Sequence, residues 1–203
     1  MTPNSPDITY NVVPILVPAA DNHIWNYKEL RLTSLKLDLA AFSSSYEREV
    51  QFTDDTWRER VNNTQKVTVV AEITMTGPSH FGECPNAYEK PWVGMATTIS
   101  HQMLLDFKLP FPKSLDGLLV YALNGLWVHP GHRGKGLAKR LHQSTIDWVK
   151  AHHDVEGNQK KVLLALVKAD NVAAISLYRT LGYKVIEEEI HPGSLSLTLP
   201  VIE

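Results

Sequence analysis

Apolar and β-branched residues gather in short runs along the chain, at residues 8–17, 67–75, 92–99, 117–129 and 162–167, and turn formers stand near most of their ends. This is the pattern of strands. Between these runs the apolar positions recur at helical spacing. Asp21 or Asn22 is positioned to cap a helix carrying Trp25, Leu30, Leu32, Leu35 and Leu39, and a Ser43-Ser44-Ser45 break follows it. Thr53, followed by Asp54 and Asp55, opens a short helix with Trp57 and Val61, so after one strand the first sixty residues read as mainly helical. Over residues 134–152 a single face collects Leu137, Ala138, Leu141, Thr145, Trp148 and Val149. Asp170 or Asn171 caps a further helix whose inner face is Ala174, Leu177, Tyr178 and Leu181, stopped by Gly182. Residues 183–189 and the alternating Leu195, Leu197 and Leu199 form a terminal hairpin about Pro192-Gly193.

The connections differ in character. Residues 76–91 hold Gly77, Pro78, Gly82, Pro85 and Pro91 and form a long loop, and residues 102–116, with Pro110 and Pro112, read as a second irregular excursion. Asn124-Gly125 interrupts the longest apolar run, and a glycine inside a strand marks a bulge or a close approach of backbone. The element order favours an α/β body of α+β type in three layers: a mixed sheet with helices on both faces.

Composition adds limits. The 203 residues are 43% hydrophobic and 21% charged, which suits one domain spanning 1–203. A formal net charge of −2 excludes the general cationic character of a protein that coats nucleic acid, so no nucleic-acid partner is expected. Residues 12–20 are apolar but hold Pro14 and Pro18 and have no basic flank, which predicts neither a signal peptide nor a membrane span. Cys84 is the only cysteine, so an internal disulfide and a multi-cysteine zinc site are excluded and a cytoplasmic or nuclear setting fits. His129 and His132 flank a turn without a thiol or carboxylate nearby in sequence, and no metal is expected there.

Chemistry concentrates at residues 128–138, where a strand passes through a glycine-rich turn into a helix. The first N–H groups of a helix lack acceptors, and glycines admit a close anion. From Gly117 to Ile146 there is no Asp or Glu, while Arg133, Lys135, Lys139 and Arg140 crowd the helix start, where cations oppose the dipole. A bound polyphosphate would reverse that penalty; the alternative is a plain glycine turn with solvated lysines. The segment lacks the Lys-Ser or Lys-Thr of a nucleotide P-loop, and Lys139 stands where a dinucleotide fingerprint needs a small residue.

Val128, Pro130, Arg133, Gly134, Gly136 and Ala138 match the pattern V-x-P-x-x-R-G-x-G-x-A, and Asn171, Ala174, Tyr178, Gly182 and Tyr183 match N-x-x-A-x-x-x-Y-x-x-x-G-[YF]. With both motifs at this separation the chain resembles the GNAT family of N-acetyltransferases. Gly131 departs from the Gln or Arg common there, which removes a side-chain contact and leaves the main-chain cradle.

The resemblance implies a mixed, mostly antiparallel sheet of about seven strands whose fourth and fifth strands splay apart. It also implies a division of the chain into an acetyl-CoA-binding core at 117–185 and a helical acceptor-side segment at 1–65. In that segment Arg31, Leu32, Leu35, Ala41, Phe42, Glu49 and Trp57 fit the family pattern, whereas Leu39 replaces a common proline.

Acetyl-CoA is the implied cosubstrate. Leu126, Trp127 and Val128 would hold its pantetheine arm, and His132, Arg133, Gly134, Lys135, Gly136, Leu137 and Ala138 its diphosphate. Asn171, Ala174 and Tyr178 complete the cofactor side, with Tyr178 as the catalytic acid. The expected partner is an amine, first of a small molecule and second of a peptide or protein; a catalytically silent CoA-binding module is the reading from another class. A monomer or homodimer is expected. Glu72, His101, Glu83 and His80 are the candidates for a general base.

Overall fold

The computed structural model describes residues 7–76, 91–153 and 159–202. Seven strands form a single sheet in the order β1-β2-β3-β4-β5-β7-β6. The strands are β1 (Asp7–Pro14), β2 (Lys66–Thr76), β3 (Trp92–Ile99), β4 (Leu119–Val128), β5 (Lys161–Lys168), β6 (Lys184–Ile186) and β7 (Ser194–Val201). The helices are α1 (Asp21–Leu37), α2 (Tyr46–Glu49), α3 (Asp54–Val61), α4 (His101–Asp106), α5 (Leu137–Ala151) and α6 (Val172–Thr180). Every pairing is antiparallel except β4 with β5, so the sheet is mixed as expected.

Side-chain alternation sends each strand's residues to two cores. On one face Val67, Val69, Tyr121, Leu123 and Leu163 meet Leu137, Leu141 and Val149 of α5 and Ile175 and Tyr178 of α6. On the other, Val70, Met95 and Trp127 meet Ile24, Tyr27 and Leu30 of α1 and Trp57 and Val61 of α3. A third cluster joins Ile99, Val120, Val162 and Leu164 to Leu104 and Leu115. The layers are helix, sheet, helix. Gly94 shows how tightly α5 lies on β3: a Cβ there would stand 3.1 Å from both Leu141 Cδ1 and the Trp127 carbonyl oxygen.

Several local readings change. Strand β1 stops at Pro14 and not at residue 17, with one further ladder bond from the Ile15 N–H to the Thr68 carbonyl at 2.8 Å. Helix α1 takes Ala20 as its cap, and Asp21 lies within its first turn. Trp25 and Leu39 are exposed, while Ile24 and Tyr27 take the inward positions. Residues 102–116, expected to be irregular, contain the end of α4, capped by the Ser100 hydroxyl, which accepts from the Met103 N–H at 3.1 Å. Helix α2, capped by Ser45, has no expected counterpart; four residues are too few to show a helical period. The strand expected at 183–189 shrinks to β6.

Candidate active site

The bulge at Asn124-Gly125 is the first element of the site. Thr97 pairs with Asn124 and Met95 with Trp127, so three steps along β4 oppose two along β3, and Gly125 takes φ +63°. One extra residue turns Leu126 and Val128 toward the α5 face and Trp127 toward α1. The second element is a gap. Strands β4 and β5 pair only from Leu119–Lys161 to Ala122–Leu164, after which Ala165 to Lys168 pair with β7 alone. From Leu123 onward β4 leaves its neighbour, as the expected splay requires. The edge of Leu126, Trp127 and Val128 that faces β5 is thereby left without a strand partner.

The turn after β4 supplies the third element. A 3-10 turn at Pro130–His132 is followed by Gly134 and Gly136 at φ +74° and +73°, conformations that glycine adopts without strain, and α5 begins at Leu137. Arg140 makes the first helical bond, from its N–H to the Gly136 carbonyl. The N–H groups of residues 134–139 have no acceptor among the described residues. A Cβ built on either glycine meets nothing within 4 Å, so the cradle opens to space. These features fit a diphosphate.

Two basic side chains of this turn have partners within the fold. Arg133 donates from Nε to the Val128 carbonyl at 2.9 Å and from its guanidinium to Asp38 Oδ2 at 2.5 Å. Lys135 donates to the Tyr10 hydroxyl at 2.9 Å, and that hydroxyl also lies 3.0 Å from His132 Nδ1. Burial, together with the nearby His129 and Lys135, lowers the His132 pKa. His129 accepts the Gly131 N–H at Nδ1, 3.2 Å away, and so closes the turn. Among the described residues no group of three or more His, Cys, Asp or Glu has a metal-binding arrangement.

Helix α6 brings the fourth element. Asn171 caps it, its side-chain oxygen accepting the Ala174 N–H at 3.1 Å, so that oxygen is committed to the helix. One and two turns later Ala174 and Tyr178 reach the same apolar cluster as Leu126, Val128, Leu137 and Ala138. Tyr178 is 6% exposed, and burial pushes its phenol well above the ordinary value. It is protonated at neutral pH. Its hydroxyl has no hydrogen-bond partner among the described residues, yet is not one of the sealed unpaired atoms, which are Trp57 Nε1 and Thr98 Oγ1. The Tyr183 ring lies 5.0 Å from it, edge-on, and the Tyr183 hydroxyl is 3.0 Å from Nε2 of the buried His142.

Across the sheet, Glu49 is 1% exposed and receives a two-pronged bond from Arg31, Nε to Oε2 at 3.0 Å and a terminal nitrogen to Oε1 at 2.7 Å. Arg60 stands 3.6 Å from Oε2. Burial pushes the Glu49 carboxyl upward, but the bonds and charge of Arg31, with Ser44 and Arg60, outweigh it and hold the pKa below the usual range. This network locks α1, α2 and α3 together.

The base candidates separate. His101 Nδ1 accepts the Val120 N–H at 3.2 Å, roughly 20 Å along β4 from Trp127, and serves the strand's far end. Glu72 lies half-buried on β2 at its register shift. His80 and Glu83 lie outside the described residues, as does Cys84. Sequence reasoning missed Asp38, Tyr10 and His142. Asp38 and Tyr10 sit in no motif, and only the fold brings them to the turn; His142 continues the apolar face of α5 and carried that much signal.

A mixed sheet with splayed central strands and an unpaired N–H cradle defines a class of acyl-group-binding fold. The profile of the Acetyltransferase (GNAT) family matches residues 79–183, just over half of the chain. The chain belongs to that family. It is 33% identical over 73 residues to an L-methionine sulfoximine/L-methionine sulfone acetyltransferase of Salmonella typhimurium, covering 36% of this chain and 39% of that protein. It is 32% identical over 82 residues to the L-amino acid N-acyltransferase MnaT of Escherichia coli, covering 40% and 44%. The chain thus matches about two fifths of the length of these relatives. An acetyltransferase of the GNAT family from Streptococcus pneumoniae superposes with a TM-score of 0.58 at 14% identity, over 96% of this chain and 99% of that one. Arabidopsis thaliana NAA60, solved with acetyl-CoA, gives 0.57 at 14% identity over 95% and 99%. At that identity the likeness is one of fold. No helix among the described residues is long and apolar enough to cross a membrane.

Proposed function

We propose that the chain transfers the acetyl group of acetyl-CoA to the primary amine of a small, amino-acid-like molecule by direct attack in a ternary complex. The observation that carries this reading is the conjunction of the β4/β5 gap with the unpaired N–H groups of residues 134–139. Acetyl-CoA enters as a substrate. Its diphosphate meets the cradle, its pantetheine amides add to the free edge of residues 126–128 as a short pseudo-strand, and the thioester then lies beside Tyr178. The neutral amine nitrogen forms a bond to the thioester carbonyl carbon, main-chain N–H groups of β4 stabilise the oxyanion, and the C–S bond breaks. Tyr178 hands its proton to the departing sulfur, and the proton that the new C–N bond makes the nitrogen shed restores the phenol. An alkyl ammonium with a pKa near 10.4 must first lose a proton, to ordered water or to a side chain such as Glu72. The two curated relatives, both named for amino-acid-type acceptors, support the acceptor class.

Thiol release from acetyl-CoA across amino acids, aminoglycosides and N-terminal peptides tests the proposal. Turnover is expected with amino acids, and Tyr178→Phe is expected to lower kcat by about 10²–10³-fold with CoA affinity kept. Turnover with peptides alone moves the acceptor to protein N-termini, and CoA binding without any acetylation makes the chain a binding module.

A further inference from the structure

One side chain joins the acceptor-side helices to the cofactor side, and it lies outside both motifs. Asp38 ends α1, its own N–H donating to the Ser34 carbonyl at 3.0 Å, and its carboxylate reaches across to β4. The single oxygen Oδ2 accepts the Trp127 indole N–H and the Arg133 guanidinium, each at 2.5 Å. Trp127 is 5% exposed and is the middle residue of the unpaired edge. Arg133 also grips the Val128 carbonyl, so one guanidinium bridges the end of β4 to the end of α1. Strand, turn and helix are thus fastened at one atom, at the place where β4 has lost its neighbour β5.

We propose that Asp38 is a positioning residue for acetyl-CoA: by holding Trp127 and Arg133 it fixes the edge of residues 126–128 and the start of the cradle in the geometry that receives the thioester arm and diphosphate. The proposal rests on the N-acetyltransferase reading. It assigns Arg133 a bracing role between β4 and α1 in place of a direct grip on phosphate. An exposed ion pair alone would contribute little, but this carboxylate is 26% exposed and shares its oxygen with a buried indole, which fixes its direction. Beyond Ala122 the strand pairing of β4 is with β3 alone, so the tie adds a polar anchor to an edge otherwise placed by packing.

Calorimetric CoA affinity and steady-state kinetics test this on the full chain. Asp38→Ala is expected to raise Kd for CoA and KM for acetyl-CoA about tenfold or more while leaving KM for the amine nearly unchanged. Asp38→Asn, which keeps an acceptor for the indole, should recover part of the loss. In an Arg133→Gln background the effect of Asp38→Ala should shrink, because the bridge is already cut. Cofactor constants within twofold of wild type, an equal rise in both KM values, or full additivity with Arg133→Gln would overturn the proposal. Should Asp38→Ala fail to fold, Trp127→Phe removes one donor and keeps the carboxylate; it should raise Kd for CoA in the same direction, and unchanged binding would contradict the role. Wild-type protein that binds no CoA removes the enzymatic reading itself, whereas normal wild-type binding with an unaffected variant removes Asp38 alone.

Discussion

The two sides of the sheet are built by different means. On the side proposed to take acetyl-CoA, the cofactor side, β4, the glycine turn, α5 and α6 present main-chain N–H groups and a hydroxyl, and the shaping residues are glycines and a capping asparagine. On the opposite side, the proposed acceptor side, α1, α2 and α3 are held by a largely buried ion network, Arg31–Glu49–Arg60, over the rings of Phe42 and Phe52. A diphosphate is the same in every acetyl-CoA, so a backbone cradle suffices. An acceptor differs between enzymes, and a packed helical segment can change its lining without disturbing the cradle. Substitutions in the Arg31–Glu49–Arg60 network should therefore act through stability, and those at the glycine turn through binding.

The largest expected effect is on the acceptor side. Glu49→Ala leaves Arg31, itself 9% exposed, without its counter-charge, and should lower stability by about 3–5 kcal/mol in chemical denaturation. A loss under 1 kcal/mol would mean that the helices are held by apolar contacts alone.

Next comes a pair of substitutions at one glycine. At Gly134, φ +74° makes alanine strained by about 1 kcal/mol, although its Cβ would meet nothing. Gly134→Asp adds a carboxylate where the diphosphate should sit, at a helix start that tolerates acids well. CoA affinity should fall about 100-fold with aspartate and much less with alanine, while both variants melt close to wild type. Equal losses would show that conformation, and not charge, governs the cradle.

The smallest effect is a pH dependence that touches the packing behind Tyr178. Burial lowers the His142 pKa to about 4, from an ordinary value near 6.5. Below the ordinary value the unfolded chain binds a proton that the folded chain refuses. Stability should therefore rise with pH through this window and be lost on acidification from about pH 6.5 toward 4, the loss reaching roughly 2 kcal/mol at about pH 5. His142→Gln should flatten that slope. An unchanged slope would place the acid sensitivity elsewhere.

The same contrast explains what was legible in advance. Gly134, Gly136, Asn171 and Gly182 could be read because each backbone task accepts few residue types, and the tasks occur at set spacings. The bulge was visible at Asn124-Gly125 for the same reason. Asp38 and Tyr10 were invisible, since their partners are 89 to 125 residues away in sequence and any carboxylate or phenol of suitable reach looks alike. Helix α2 escaped because its stability comes from Glu49 inside an ion network and not from its own pattern. Trp25 and Leu39 misled because apolar character alone does not assign a helix face, and both are exposed.

A crystal structure of the chain with CoA tests the cofactor side most directly. The diphosphate oxygens should lie within about 2.7–3.2 Å of N–H groups among residues 134–139, with the pantetheine arm along residues 126–128 in the gap beside β5. A diphosphate bound elsewhere, with those N–H groups facing only water, would contradict the assignment.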